Sequence, residues 1–395
     1  MNNRVFICAD RRFPHGDAGG NRIEYYAKAL QLYGYDVFII SIGKNDENLW
    51  YDELSCYIYS GLKYKNVKLN QGKRGKVDIY LTSGKKTIEI LKEQNLATDD
   101  KIIIYTSNFI YAMPIKHLAE KKGAHIIYDI VEWFDYKTYK YKQLDPRYWA
   151  FEICFKKIYP SSKNVIVISE NLKNHFESQK CNTFLLPIVV DTQEHNRKIS
   201  KSDNKIRLIY PGNPEHKDNI WVVLKAFDSL SDSQKQRFEI HFTSVNKKKI
   251  SDLLIENSNL IDKNEQFIEF HSWMEFDELL ELYHKMDFLV LAREKNTVTT
   301  SNFPSKIPEL MSCGVSVIAN DVGDFPSYLS NGKDSLIYKK CDPCELCDIF
   351  MKISKMSNDE ILALRSNAML TATEKFDYRK WSDKFGRYIE EIGNE

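Results

Sequence analysis

What the sequence lacks narrows it first. No stretch of its 395 residues is long and apolar enough to cross a bilayer. The leading apolar run, Val5 to Ala9, breaks at Asp10 and is too short for the apolar region of a secretion signal. The expected location is therefore the cytoplasm, with the inner face of a membrane as the furthest reach. Net charge is missing too: 56 Lys and Arg stand against 55 Asp and Glu, leaving +1. That argues against a general nucleic-acid binder, because no global positive field exists to neutralise phosphates. The first glycine-rich loop lacks the G-x-G-x-x-G spacing, so a dinucleotide fingerprint is not supported. Eight cysteines without a secretion signal are read as reduced thiols. Cys341, Cys344 and Cys347 are spaced as metal ligands can be, but no fourth ligand stands nearby. Asp342-Pro343 reads instead as a helix start that turns Cys344, Cys347 and Phe350 toward a core.

What is present points to two α/β domains. The length suffices for two cores, and 43% hydrophobic residues is the content of a globular chain, with aromatics high at 13%. The most informative stretch runs from Asn302 to Val322. Phe303-Pro304-Ser305 suits a helix start, with Ser305 able to cap exposed amides. Ile307, Leu310 and Met311 follow at helical spacing, Gly314 stops the helix, and Val315 to Ala319 reads as a buried parallel strand. A helix amino end attracts anions, phosphates above all. Glu309, one turn in, would be repelled by a phosphate, so it is expected to accept hydrogen bonds from hydroxyls such as those of a ribose.

The run FPSKIPELMSCGVSVIA, followed by DVGDFPSYLSNGKDSLIY, resembles the donor-binding signature of retaining glycosyltransferases of the GT-B fold, family 4. The resemblance implies donor contacts from Asn302, Phe303, Pro304, Ser305 and Lys306. In that family two glutamates separated by seven residues flank the signature, and the second, which binds the ribose, matches Glu309. The first falls on Ser301, a departure that bears on how the donor sugar's hydroxyls are held.

In chain order, Val5–Ala9 reads as a first strand, followed by DRRFPHGDAGGNR with Gly16, Gly19 and Gly20, a helix from about Asn21 to Tyr33, and a strand Val37–Ile42. The loop is either an ordinary Gly-Gly turn or, as the resemblance implies, a close approach of Gly19 and Gly20 to the donor diphosphate, which only glycine permits. Lys63 to Lys76 reads as a solvated loop or hairpin tip. A helix Ser83–Gln94, a strand Ile102–Thr106, a helix Pro114–Lys122 and a strand Ile126–Ile130 follow. Glu132 and Trp133 stand at that last strand's carboxyl end. Glu132 is a carboxylate that orients or deprotonates an acceptor hydroxyl, or one on a solvated loop. Residues 136–163 interleave Lys and Arg with Tyr, Trp and Phe, the composition of a membrane-interface helix or of one that covers a core with its rings. Val165–Ser169 is the last strand legible before a polar linker, EHNRKISKSDNK.

A second strand–loop–helix opens at Ile206–Tyr210, with the loop PGNPEHKD. Gly212 permits a tight turn and Lys217 can reach a diphosphate. The loop resembles the family's G-x4-K-D variant, in which the lysine binds donor phosphates; the arginine often found after the glycine is Asn213 here. Strands Phe238–Ser244, Phe267–His271 and Phe288–Leu291 follow, and the resemblance places His271, Ser272 and Trp273 at the nucleotide base. Arg293, on the loop AREKNTVTTS, is a second phosphate contact or merely solvated. Helices are expected at 343–354, 358–370 and 377–393, the last capped by Asp377 and amphipathic through Trp381, Phe385, Tyr388 and Ile389.

The expected fold is thus α/β, a GT-B pair of doubly wound Rossmann-like domains facing across a cleft. An acceptor domain covers 1–190, a nucleotide-sugar domain 191–376, and a helix in 377–395 returns to the first. The resemblance implies transfer of a hexose, with retention and without a metal, from a UDP- or GDP-sugar to a saccharide or lipid-linked acceptor, in surface polysaccharide or glycoconjugate synthesis. No Asp-x-Asp pair sits at a strand end, no residue is an obvious covalent nucleophile, and no further cofactor is expected. The catalytic set would be Glu132, Lys217 and Glu309. Two alternatives remain: a donor-binding subunit without transfer activity, and a sugar-nucleotide epimerase.

Overall fold

The computed structural model describes residues 3–14, 18–51, 53, 55–69, 78–195, 197–214, 217–254 and 259–393. The chain folds as two compact units, Met1–Val190 with Tyr378–Glu395, and Asp191–Asp377.

The first unit is built on a nine-stranded sheet in the order β3-β4-β5-β2-β1-β6-β7-β8-β9. Its strands are β1 (Arg4–Ala9), β2 (Asp36–Ser41), β3 (Trp50–Tyr51), β4 (Cys56–Tyr59), β5 (Leu62–Asn66), β6 (Lys101–Tyr105), β7 (His125–Ile130), β8 (Asn164–Val167) and β9 (Asn182–Leu185). All pairings are parallel except those of β3 with β4 and β4 with β5. Val5, Ile7, Ile39, Ile103 and Ile127 are fully buried, as central parallel strands covered on both faces require. The main helices here are α1 (Ala18–Tyr33), α2 (Ser83–Glu93), α3 (Phe109–Lys122), α4 (Pro146–Ile153) and α5 (Glu170–Ser178).

Four expectations about this unit are corrected. Gly19 and Gly20 lie inside the first turn of α1, both buried, rather than in the loop before it. A Cβ on Gly20 would sit 2.4 Å from the Arg12 carbonyl oxygen, so the glycine serves close packing of helix on loop. Lys63 to Asn66 belong to β5, with Tyr64 fully buried; alternation hid the strand because its lysines face outward. Residues 70–77 of that expected loop, like Gly16, lie outside the described residues. Helix α3 begins at Phe109, where the Asn108 side chain accepts from Ile110 N, and Pro114 sits inside it. The strand β9 was not foreseen, its alternating Asn, Thr and Phe being a weak apolar signal at a sheet edge.

A buried ion pair ties α1 to the sheet. Arg22 makes a two-pronged contact with Asp129 at 2.9 Å on each prong and donates to the Leu186 and Pro187 carbonyls at 3.2 and 3.1 Å. The chain's last helix, α11 below, packs on α1: Ser382 Oγ donates to Ala29 O at 2.8 Å, and Phe385 stacks on Phe184 at 5.2 Å.

The second unit carries a six-stranded, wholly parallel sheet in the order β12-β11-β10-β13-β14-β15. Its strands are β10 (Ile206–Tyr210), β11 (Phe238–Thr243), β12 (Ile268–His271), β13 (Phe288–Leu291), β14 (Ser316–Asn320) and β15 (Ser335–Tyr338). The main helices are α6 (Ile220–Asp228), α7 (Phe276–Lys285), α8 (Lys306–Ser312), α9 (Pro343–Ile353) and α10 (Asn358–Lys375); α11 (Tyr378–Glu391) returns to the first unit. Helix α8 ends in a Schellman motif: Gly314, at φ +77°, donates to Met311 O at 3.0 Å and Val315 to Leu310 O at 3.0 Å.

Here too there are corrections. The expected linker is folded into this unit: His195 is buried, and Lys201 pairs with buried Asp287 at 2.7 Å. A charged run can lie on a surface and still spend single residues on buried partners. Helix α10 runs to Lys375 rather than stopping near 370. Cys347 and Phe350 face inward, but Cys344, at the second position of α9, is exposed. The Asp377 carboxylate accepts from Thr192 N at 3.3 Å and from the Thr192 hydroxyl.

Candidate functional site

In a doubly wound sheet the strand order reverses at one point, and ligands bind beyond the carboxyl ends of the strands there. In the second unit that point lies between β10 and β13. The loop after β10 turns at Gly212, which has φ +76° and donates to Thr243 O and Thr243 Oγ1, both at 3.1 Å. It then delivers Lys217 and Asp218 to the start of α6. The segment after β13 delivers Arg293.

Asp218 and Arg293 meet Asn302 and Lys306, the first residue of α8, in one charged cluster. Asp218 Oδ1 accepts from Arg293 Nε at 2.7 Å, and Asp218 Oδ2 lies 3.3 Å from Lys306 Nζ and accepts from the Tyr210 hydroxyl. Lys306 Nζ lies 2.6 Å from the Tyr210 hydroxyl and 3.9 Å from the ring centroid. Arg293 Nη1 donates to Asn302 Oδ1 at 3.0 Å, and its backbone N–H donates to Asn320 Oδ1 at 2.8 Å. Arg293 is buried and Asp218's side chain is 9% exposed. Burial pushes the Asp218 carboxyl up, but Arg293, Lys306 and the Tyr210 hydrogen bond outweigh it and hold it below the usual carboxylate range. Arg293 and Lys306 thus bring two cations to Asp218, with Lys217 beside it in sequence, and cations gathered at a switch point suit an anion.

The expected donor residues divide by where they sit. Arg293 is not solvated; its guanidinium braces Asp218 and Asn302. Ser301 is fully buried at the end of a one-turn helix, Thr297–Thr300, inside what reads as a loop in sequence. Asn302 is buried, and Phe303 is a core residue, its ring within 5.1 to 5.8 Å of Phe325, Tyr328 and Phe376. Pro304, Ser305, Lys306 and Glu309 are half-buried. Ser305 does not cap α8 with its side chain, as expected from sequence: its own dihedrals, φ −60° and ψ −26°, are helical, unlike the extended backbone that aims an N-cap hydroxyl at the following amides. Asn213 is exposed and Lys217 half-buried. On the loop after β12, Ser272 and Trp273 are exposed, Trp273 by 71%, while the His271 ring is stacked on His241 at 5.3 Å.

Two members of the cluster escaped the sequence reading. Tyr210 was seen only as a strand end and Asp218 only as the close of a motif. The available signal was Asp218's place directly after Lys217, since a lysine and an acid side by side at a strand–loop–helix turn often share a partner.

In the first unit the order reverses between β1 and β6. The loops there hold Asp10, which accepts from Arg11 Nη1 at 2.9 Å and Thr106 Oγ1 at 2.6 Å. A small depression beside them is lined by Arg11, Thr106, Ser107, Asp129, Glu132 and Tyr159 among others. Glu132 is half-buried, two residues past β7. Trp133 instead turns into packing, 4.6 Å from the Phe155 ring and 4.4 Å from that of His175. Gly19 and Gly20 sit at the start of α1 in this same unit.

Residues 205–355 match the family model described as Glycosyl transferases group 1. A search of curated protein sequences gives no significant match. Among solved structures, the chain is similar to a sucrose-phosphate synthase from Thermosynechococcus elongatus, at TM-score 0.72 and 13% identity over 98% of both chains. It is also similar to a glycosyltransferase from Rickettsia africae, at 0.69 and 14% identity over 100% of both chains. The Anabaena protein HepE, in complex with UDP and glucose, gives 0.68 and 12% identity over 99% of this chain and 100% of that one. The chain therefore has the fold of the GT-B glycosyltransferases, and its second unit carries a glycosyl transferases group 1 domain.

Proposed function

We propose that the protein is a family 4 retaining glycosyltransferase that moves a hexose from a nucleoside-diphosphate sugar to a hydroxyl of a saccharide or lipid-linked acceptor. The observation that carries this reading is the charged cluster at the switch point of the second unit, where Arg293 and Lys306 both pair with Asp218, next to Lys217 in the chain. Breaking the anomeric bond leaves charge on the departing diphosphate, and fixed cations in a partly dry site stabilise that charge as it develops, without a metal. Lys217 and Lys306 act directly on the diphosphate, and Arg293 holds Asp218 and Asn302 in place. Glu309 accepts from the ribose hydroxyls, and Trp273 and Ser272 flank the base. In the first unit, Glu132 orients the acceptor hydroxyl. HepE's complex with UDP and glucose favours UDP over GDP as the carrier.

A lipid-linked acceptor in surface polysaccharide synthesis would bring the first unit to a membrane, and the segment around α4 supports that contact. Leu144 is 87% exposed, Tyr141 61% and Trp149 55%, among exposed Lys137, Lys140, Lys142, Arg147, Lys156 and Lys157. Apolar tips ringed by cations suit an anionic headgroup layer.

Transfer assays with Lys217→Ala and Glu309→Ala as controls test the reading; it fails if nucleotide sugar is bound but never turned over with saccharide or lipid-linked acceptors. That outcome is the one expected of a donor-binding subunit, the second reading, which Ser301 favours by standing buried where the family's sugar-holding glutamate would be.

A further inference from the structure

We propose that the second unit carries a zinc site on the edge of its sheet, formed by His241, Glu269 and His271. Strand β12 is the sheet's edge and β11 its neighbour, with His241 opposite Glu269 and Thr243 opposite His271. Side chains alternate along a strand, so the three residues share one face. The donor atoms converge: His241 Nδ1 lies 3.0 Å from His271 Nε2 and 3.5 Å from Glu269 Oε2, and His271 Nε2 lies 3.7 Å from the same oxygen. Three ligands held at zinc's usual bond lengths and tetrahedral angles are about 3.3 Å apart. The triangle already present needs only a few tenths of an ångström of adjustment.

The surroundings fit a cation as well as the distances do. His241 is buried, so its ring is held in place on the strand. Its other nitrogen, Nε2, is buried without a hydrogen-bond partner and lies 3.9 Å from Glu239 Oε2. At 3.0 Å, His241 Nδ1 and His271 Nε2 share one proton, carried by either ring. With a metal at Nδ1 the proton resides on Nε2, on the side of the Glu239 carboxylate 3.9 Å away, a neighbour of the kind that orients a histidine ligand. Loading requires only that the shared proton shift to the other nitrogen of its ring. Arg207, the nearest guanidinium, is already neutralised by Asp203 at 2.7 Å and Glu239 at 2.9 Å, and Lys205 stands 4.0 Å from Glu239. Two imidazoles and one carboxylate select zinc over magnesium or calcium, and they leave a fourth position for water. None of the three ligands belongs to the Arg293–Asp218–Lys306 cluster, so zinc uptake is read without measuring sugar transfer.

The test is a zinc titration of tag-free, chelator-stripped full-length protein, followed by calorimetry and by thermal melting, with Co2+ as a spectroscopic substitute. One equivalent should bind, raise the melting temperature, and with Co2+ give the visible absorption of a four-coordinate ion. His271→Ala and Glu269→Gln change part-exposed side chains, so they avoid removing buried His241; circular dichroism checks that each variant folds. The first should weaken zinc about 100-fold or more and the second about tenfold or more. The proposal is overturned if the wild type takes up no stoichiometric zinc, or if both folded variants bind it as tightly as the wild type, which would place the ion elsewhere.

Discussion

Asp218 shows how much one buried carboxylate organises. It receives Arg293 and the Tyr210 hydroxyl and lies within 3.3 Å of Lys306, so the two cations are held rather than left to wander on flexible stems. Its carboxyl titrates below the unfolded value. A depressed acid contributes stability that is complete above the unfolded pKa, about 3.9, and is lost as pH falls through the lower folded value. Asp218→Asn should therefore flatten the acid limb of the stability profile below about pH 4, measured by urea melts across pH. Lys306→Ala removes a cation from the proposed diphosphate site and should lower kcat/KM for the donor by about 100-fold, the usual cost of one charge-stabilising donor. An unchanged kcat/KM would remove Lys306 from the site.

Buried His195 acts in the same direction at higher pH. Burial lowers its pKa to about 4, so in the folded chain it stays neutral where the unfolded chain takes up a proton. Between about pH 6.5 and 4 the unfolded state binds more protons, and stability falls as pH drops, by on the order of 3 kcal/mol over the window. His195→Gln, which keeps a polar contact for Ser312 Oγ, should lose most of that slope in the same melts.

At the scale of elements, legibility tracked periodicity. Phe276–Lys285 and Phe288–Leu291 could be read to the residue, because each has one clear apolar pattern and a clean stop. The stop of α8 was legible as well, where Gly314 takes a left-handed conformation. Strands with polar residues escaped: β5, third in from one side of the sheet, and β9 at the opposite edge carry them, and nothing in Lys-Tyr-Lys-Asn marks a strand. The turn at Gly212 was legible because a motif fixes backbone shape there. The cluster was not legible where side chains from distant segments meet, as those of Tyr210 and Asp218 meet Arg293 and Lys306. Phe303 shows the difference, since the signature's aromatic is spent on core. Phe303→Ala should cost about 3–5 kcal/mol of second-unit stability, read as a lower urea midpoint, because three rings lose their common neighbour. The α4 segment makes an opposite claim. Replacing Leu144 and Trp149 by Glu should abolish sedimentation with anionic vesicles while leaving the melting temperature within a degree or two, since both side chains are mostly exposed.

For the whole molecule, ligand linkage gives the most direct test of the proposed donor. A nucleoside diphosphate that binds only the folded state stabilises it by about 2.7 kcal/mol at one hundred times its dissociation constant. UDP should therefore raise the melting temperature more than GDP at equal concentration, and a larger rise with GDP would reverse the assignment of the base.

The returning helix has one more implication. Tyr378 N donates to Val190 O at 3.1 Å, so the chain leaves the first unit and re-enters it at adjoining points. The second unit is thus a long excursion from an otherwise continuous body, and a short glycine bridge from Val190 to Tyr378 would splice it out without stretching the backbone. Such a spliced protein should fold alone. A chain merely cut after Val190 should not, because α1 would face water where Phe385 and Ser382 had covered it.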